Sequence, residues 1–481
     1  MSQQNPLLSI DQQIVGDAYT STDAMDNLII LCDDFGSRFG GTEGERQAAE
    51  FFKAKLEEYG LGNVHLEPVE YLGWTRGEAS LEIVSPVQKA IPCISLPHSP
   101  PTDLEGVILD MGDGVPKDFD QRAGEIQGKI VMTTSVVSPK GSRRRIHRSE
   151  KYGRSLMAGA TGFIYVNHYA GYGPVTGGIG RASSSSAHHK DNREGPIPGI
   201  SICKEDGAFI QRLMKGAGEV SIHLTTTDRC QPMTSWNVIG DLPGQQYPDQ
   251  IVMLGCHYDG HDISQGAADP ASGAVSVLEA ARVLAKYAPH LPCPVRFALW
   301  GIEEIGLVGS REYVQAHADE LSNIRFYLNM DSAGAKSNAR DIVLNEWPDL
   351  QPYFERWSEE MALVFAVGQS VAVHSDHFPF FMAGVPTGGM ESAGMSLSGR
   401  GYGHTQWDTV DKVDLTGLRE ASTLAARLAL RMASEETWPV TRRDEETVFE
   451  LLDRPEYWEE QEYRERLDAF LEKSRSPGGC G

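Results

Sequence analysis

Between residues 250 and 331 three short apolar runs, IVMLG, VRFALW and IRFYLN, each lead into a histidine or an acid. Apolar runs of this length, bounded by turn residues, read as buried strands. They lie at 250–255, 295–300 and 324–328, with a helix over 271–287 between the first two, and helices and short strands alternate on to about 434. This alternation predicts an α/β fold, a mainly parallel mixed sheet with helices on both faces. In such a sheet the strands end along one edge, and ligands bind in the crevice there. His257-Tyr-Asp259, Glu303-Glu304 and Asp331 follow the three runs. Asp269-Pro270 opens the helix, and Gly403-His404-Thr-Gln-Trp-Asp408-Thr lies near the end of the segment.

Upstream the texture differs. Residues 41–61 have helical spacing, with Ala48, Phe51, Phe52, Leu56 and Tyr59 on one stripe and Gly60 as the stop. From 71 to 228 short β runs at 80–84, 106–109, 129–133, 162–166 and 220–225 alternate with Gly, Pro and Ser, interrupted by one helix near 150–160. The expected division is 1–70 as the first part of the α/β domain, 71–234 as a β-rich insert, 235–440 as the rest of the α/β domain, and 441–481 as an acidic helical tail. A chain of 481 residues is long enough for about three domains. Its net charge of −24 argues against nucleic acid and anionic lipid as partners. No run approaches the roughly 18 apolar residues of a membrane span. The polar residues 1–25 do not read as a signal peptide. Seven cysteines, an odd number without a CxxC pair, suit reduced thiols and a cytoplasmic location.

Each acidic motif is weak alone. A His-x-Asp after a strand is more often structural, and Glu-Glu pairs are common on solvated faces. Their shared position gives them weight. Asp259, Asp269, Glu303, Glu304 and Asp331, with His257 and His404, would line one crevice. So many carboxylates repel one another unless cations join them, and carboxylate with imidazole suits zinc.

These motifs resemble those of the co-catalytic di-zinc aminopeptidase family, which includes aminopeptidase Y and relatives of plasma glutamate carboxypeptidase. Gly40-Gly-Thr-Glu-Gly-Glu, Ser375-Asp-His-Phe-Pro-Phe and Ala383-Gly-Val-Pro extend the resemblance over most of the chain. The insert resembles a protease-associated domain through Gly128-Lys-Ile-Val, Ala158-Gly-Ala-Thr-Gly-Phe-Ile and Pro196-Ile-Pro-Gly-Ile-Ser. The resemblance implies a zinc exopeptidase fold and two Zn2+ ions per chain. Asp269 would bridge them, with His257 and Asp331 on one ion and Glu304 and His404 on the other. Glu303 would be the general base, and Asp259 would orient His257 through its second ring nitrogen. Two such ions, about 3.5–4 Å apart, polarise a scissile carbonyl and activate water. The Asp269–Pro270 bond is expected to be cis, as the equivalent bond is in relatives.

The implied activity is removal of an N-terminal residue from peptides, the substrate being a peptide or dipeptide. A dipeptidase or glutamate-carboxypeptidase-like activity is the alternative, although Asp331 rather than Glu leans towards aminopeptidase. A non-catalytic receptor-like relative would have lost its ligands, and here all are present. A homo-oligomer is left open. Two departures stand out: Pro270 follows the bridging aspartate where relatives generally carry Asp or Asn, and Gly403 precedes His404 where several aminopeptidases have a tyrosine. His261 is expected at the pocket rim rather than as a ligand, because the strand ends before it. Asp376 is expected to brace the site between His374 and His377, neither of them a ligand. The basic stretch 140–154, with Arg143, Arg144 and Arg145, reads as a solvated loop or as an attractor of the substrate's C-terminal carboxylate.

Overall fold

A computed structural model describes residues 5–142, 144–179, 195–337, 339–392, 401–454 and 461–473. Two units emerge, Met1–Tyr71 with Met233–Leu451, and Leu72–Pro232 with Leu452–Gly481. Arg143 and Cys480 lie outside the described residues.

The first sheet has, among the described residues, the strand order Gly62–Thr75, Arg229–Leu242, Val295–Trp300, Ile251–His257, Ile324–Asn329, Thr387–Ser392, Arg340–Leu344 and Val367–Gln369. The three runs found in the sequence sit side by side and parallel at its centre. Thr387–Ser392 continues the parallel order, whereas Arg229–Leu242 and Arg340–Leu344 pair antiparallel. Successive side chains of a strand point to opposite faces. Met253, Ala298, Trp300 and Tyr327 therefore share one face, packed with Tyr313 and Phe380 from helices Val308–Ala316 and His377–Met382. Helices Ser272–Ala285 and Leu415–Ser434, both almost wholly buried, pack on each other and against the central strand Ile251–His257.

Helix Glu43–Glu58 starts as the motif at 40–45 suggests: Thr42 caps it, and buried Glu45 reaches back to the Gly41 N–H at 2.5 Å. The polar N-terminus also forms helices, Leu8–Thr20 and Asp23–Ile29. The first is anchored by buried Asp11, which accepts from Arg431 at 2.7 and 2.9 Å. Among the described residues no helix is long and apolar enough to cross a membrane.

The second unit holds its own sheet, ordered Lys89–Ile91, Ala79–Ser85, Ser221–Thr226, Thr102–Asp110, Ile130–Thr134, Gly162–Val166, Gly199–Ile202 and Cys93–Ser95. Its middle four strands, from Thr102–Asp110 to Gly199–Ile202, run parallel and its flanks antiparallel. It is less purely β than expected. Helix Lys204–Ala217 lies against the sheet, and a Cβ on its Gly207 would come within 2.4 Å of Val166, so close packing requires the glycine that masks the helix in the sequence.

Two expectations change here. The basic stretch is not simply solvated: Arg144 and Arg154 both bind Glu150, at 2.7–2.9 Å, with Glu150 and Arg154 buried and Arg144 partly so. Arg144 is thereby committed to an internal pair. Residues 441–481 do not act as one tail either. Helix Glu445–Leu452 falls almost wholly in the first unit, while Tyr463 of helix Gln461–Lys473 stacks on Arg154 in the second, 4.4 Å from ring centre to guanidinium.

Candidate metal centre

Three strand ends deliver the carboxylates and the first imidazole. His257 is the last residue of its strand, Glu303 and Glu304 follow Val295–Trp300, and Asp331 follows Ile324–Asn329. Asp269 comes from the turn ahead of helix Ser272–Ala285. That helix begins so close to the neighbouring strand end that a Cβ on Gly273 would lie 2.0 Å from the Met330 carbonyl. Only glycine permits this approach, which sets Asp269 beside Asp331. The Asp269–Pro270 bond is cis, as expected.

The side chains form two clusters, His257 with Asp269 and Asp331, and His261 with Glu304 and His404. Asp269 faces both. Its Oδ1 lies 3.3 Å from His257 Nε2 and its Oδ2 lies 3.4 Å from His404 Nε2. His257 Nε2 is 3.4 Å from Asp331 Oδ1, and His404 Nε2 is 3.5 Å from Glu304 Oε2. A tetrahedral zinc with bonds of about 2.0–2.1 Å separates its ligands by about 3.3–3.4 Å. The donor set and its spacing therefore fit a metal in each cluster.

Electrostatics favour the same assignment. Burial alone would lower the His257 pKa, but the Glu303 charge and the surrounding aspartates raise it well above the ordinary histidine value. Burial pushes Glu303 well above the carboxylate range and Glu304 up to about 8, each reinforced by neighbouring carboxylates. Burial likewise works against ionised Asp269, but hydrogen bonds from His257 and His404 outweigh it and hold this carboxyl below its usual value. Without cations the cluster must retain protons, and bound cations would reverse that preference.

Asp259 meets the second ring nitrogen of His257: Nδ1 lies 3.0 Å from the Asp259 carbonyl oxygen and 3.6 Å from its carboxylate. The carboxylate instead accepts the backbone N–H groups of Glu303 and Glu304 at 2.9 and 3.3 Å. Asp408 does the same for Ala268 and Asp269, at 2.8 and 3.0 Å. Asp376 is fully buried and accepts from Ser310 at 2.6 Å, and burial raises its pKa to about 7. His377 stays outside both clusters, with burial lowering its pKa to about 4.

Other supports carry little signal in the sequence. Trp300 Nε1 donates to Tyr327 Oη at 2.7 Å, and Tyr327 Oη donates to Asn329 Oδ1 at 2.9 Å. Asn329 Nδ2 then donates to Ser375 Oγ at 2.7 Å, and Ser375 donates to Asp331 Oδ2 at 2.8 Å. This chain links the aromatic core to Asp331. Arg38, fully buried, donates to the carbonyls of Tyr258, Gln265 and Gly266 at 2.8–3.0 Å and ties both ends of the 258–266 loop together. Ile302, Ser332 and His404, each within two residues of a member of the two clusters or itself a member, hold φ near +57°. Non-glycine residues rarely adopt this region, at a cost on the order of 1–3 kcal/mol each, and such strain clusters at functional sites.

Residues 237–429 match the peptidase family M28 description. The chain is 29% identical to human carboxypeptidase Q over 313 residues, 64% of each chain, so the match spans less than two thirds of that relative. Among solved structures it is similar to a peptidase M28 precursor from Shewanella amazonensis, with a TM-score of 0.75 and 25% identity over 91% of this chain and 98% of the other. It also shares the fold of a zinc aminopeptidase from Bacillus subtilis, with a TM-score of 0.64 and 23% identity over 88% of this chain and 95% of that one. Over residues 237–429 the chain is similar to peptidase family M28, in keeping with the co-catalytic zinc aminopeptidase resemblance.

Proposed function

We propose that this protein is a zinc-dependent exopeptidase that releases the N-terminal residue of peptides. The observation that carries the reading is Asp269, whose two oxygens face separate histidines in separate clusters. The clusters would hold two ions, His257 and Asp331 on one, Glu304 and His404 on the other, with Asp269 shared. Zinc, when bound, supplies Lewis acidity towards the scissile carbonyl and lowers the pKa of water.

The protein's own contribution is position and proton transfer. Glu303 shares its strand end with the ligand Glu304, and Asp259 fixes both backbone N–H groups. The Glu303 carboxylate takes the proton of the attacking water and returns it to the leaving amine. The Ser375 hydroxyl holds the Asp331 carboxylate in orientation. Removing metal with a chelator is expected to abolish peptidase activity, and about two zinc equivalents should restore it. Full activity after exhaustive chelation would refute the reading.

A dipeptidase or carboxypeptidase-like activity is a second reading, favoured by the likeness to human carboxypeptidase Q. Hydrolysis of Leu-p-nitroanilide and free dipeptides, with N-blocked dipeptides left intact, is expected of an aminopeptidase. Cleavage of N-blocked dipeptides would favour the alternative.

The second unit reads as a protease-associated domain. Its three motifs fall in order on the parallel strands Ile130–Thr134, Gly162–Val166 and Gly199–Ile202. A crystal structure lacking this parallel order would withdraw the assignment. A cytoplasmic location is proposed from the odd number of cysteines, none of them in a CxxC pair. Cell fractionation tests it, and recovery only outside the cytoplasm would refute it.

A further inference from the structure

His261 does not sit at a rim. It is 2% exposed, and its Nε2 lies 2.9 Å from Glu304 Oε2 and 3.3 Å from His404 Nδ1. Its ring meets that of His404 edge-on, with centroids 4.5 Å apart. The loop carrying it is constrained at both ends. Arg38 binds the carbonyls of Tyr258, Gln265 and Gly266, and Gly266 adopts φ +55°. A Cβ on Gly260 would approach the Ser37 carbonyl to 2.8 Å, so the loop lies tight against residue 37. Helical spacing from His257 is not needed to bring His261 inward. The folded loop does it.

We infer that His261 is a protein ligand of the second metal position, beside Glu304, His404 and Asp269. The inference rests on the metal reading above and extends it. One proton on His261 Nε2 can serve the Glu304 carboxylate but not also His404 Nδ1, whereas one cation can join His261 Nε2, Glu304 Oε2 and His404 Nε2. His261 Nε2 lies 2.9 Å and His404 Nε2 3.5 Å from Glu304 Oε2, on either side of the edge of about 3.3 Å in a tetrahedral zinc site, and one donor atom from each of the three residues lies within 4.8 Å of the others.

The two positions then differ in kind. The first has His257, Asp331 and one oxygen of Asp269, and keeps a coordination place for substrate or water. The second has His261, Glu304, His404 and the other oxygen of Asp269, a full set of four. Three protein ligands are typical of catalytic zinc and four of structural zinc. The second position should therefore bind the tighter, slowly exchanging ion, leaving the open chemistry to the first.

The test uses the full chain loaded with 113Cd and labelled with 15N-histidine. A directly bound nitrogen is split by the cadmium spin. Splitting at His257, His261 and His404 is expected, with His261 and His404 split at the first cadmium equivalent. Splitting at His257 and His404 but not at His261 would overturn this inference and leave the metal reading standing. No splitting at any of them would remove the metal reading itself. In parallel, His261→Phe is expected to weaken one zinc equivalent by more than about 100-fold in a competition titration, beyond the 10–100-fold usual for a hydrogen-bonding support. A smaller loss in a folded variant would make His261 a support of Glu304 rather than a ligand.

Discussion

Buried carboxylates are handled in opposite ways at Glu150 and at the strand-end cluster. In the second unit Glu150 is fully buried, and Arg144 and Arg154 neutralise it with near-ideal hydrogen bonds. In the first unit Asp259, Asp269, Glu304, Asp376 and Asp408 are all buried, with Glu303 and Asp331 partly so. They meet histidines and backbone N–H groups, while buried Arg38 directs its hydrogen bonds at backbone carbonyls. A buried charge without a partner costs several kcal/mol, so the Glu150 arrangement is complete in itself. The other arrangement calls for cations from outside. That difference separates a structural ion pair from a metal centre, and it can be tested from both sides.

The largest effect is expected at Glu303. Glu303→Gln keeps the size of the side chain but cannot accept a proton, and the loss of a general base typically costs about 10²–10⁴-fold in rate. Zinc content should remain at the wild-type level, whereas Glu304→Gln should lower it. Normal turnover by the Glu303 variant would mean that the two glutamates have each other's roles.

Next comes Glu150, the opposite pole. Removing one partner of a buried ion pair typically costs about 3–5 kcal/mol. Glu150→Gln should lower the stability of the second unit by about that amount in denaturant unfolding, with the same loss in chelator and in zinc. A loss that zinc reverses would show that this pair is coupled to the metal centre and would break the contrast.

The first unit should show the reverse pattern. Its stability should fall on chelation and rise with free zinc, because a ligand bound only to the folded state stabilises by RT ln(1 + [L]/Kd), about 2.7 kcal/mol at a hundredfold excess over Kd. A melting profile indifferent to both chelator and zinc would mean that the carboxylate cluster is satisfied by protons alone.

Three of the proposed ligands were legible because each lies next to a strand end, and a short apolar strand is readable from one run. His257, Glu304 and Asp331 were found in this way. Their supports were not, because they come from distant loops whose approach only tertiary packing decides. Arg38 reaches residues 258–266 across more than two hundred positions, and Ser375 reaches Asp331 across forty-four. His261 was misjudged for the same reason: spacing along a strand says nothing about a loop that folds back. Asp259 was placed beside His257, but residue identity does not say whether a carbonyl or a carboxylate turns towards it. Helix Lys204–Ala217 was hidden by its own glycines, one of which Val166 requires.

The smallest effect is expected at Ser375, where the contrast can be sharpened. Its hydroxyl donates to Asp331 Oδ2, leaving Oδ1 turned towards His257 and the first metal position. Ser375→Ala removes one hydroxyl and no charge, and the side chain is nearly buried, so little rearrangement is expected. Asn329 Nδ2 loses its better acceptor and keeps the His377 Nδ1 contact at 3.3 Å. Hydrogen-bond partners of metal ligands typically contribute 10–100-fold to affinity. Because Asp331 keeps its second oxygen, about tenfold weaker zinc binding is expected, confined to the equivalent that His257 shares. Turnover at saturating zinc should stay close to wild type, since the relay from Trp300 orients a ligand and moves no proton of the reaction. A competition titration gives the first quantity and a rate at excess zinc the second. Unchanged affinity at both positions would reduce the Trp300–Tyr327–Asn329–Ser375 chain to core packing. A large loss of rate at saturating zinc would instead place Ser375 among the groups that act on the substrate.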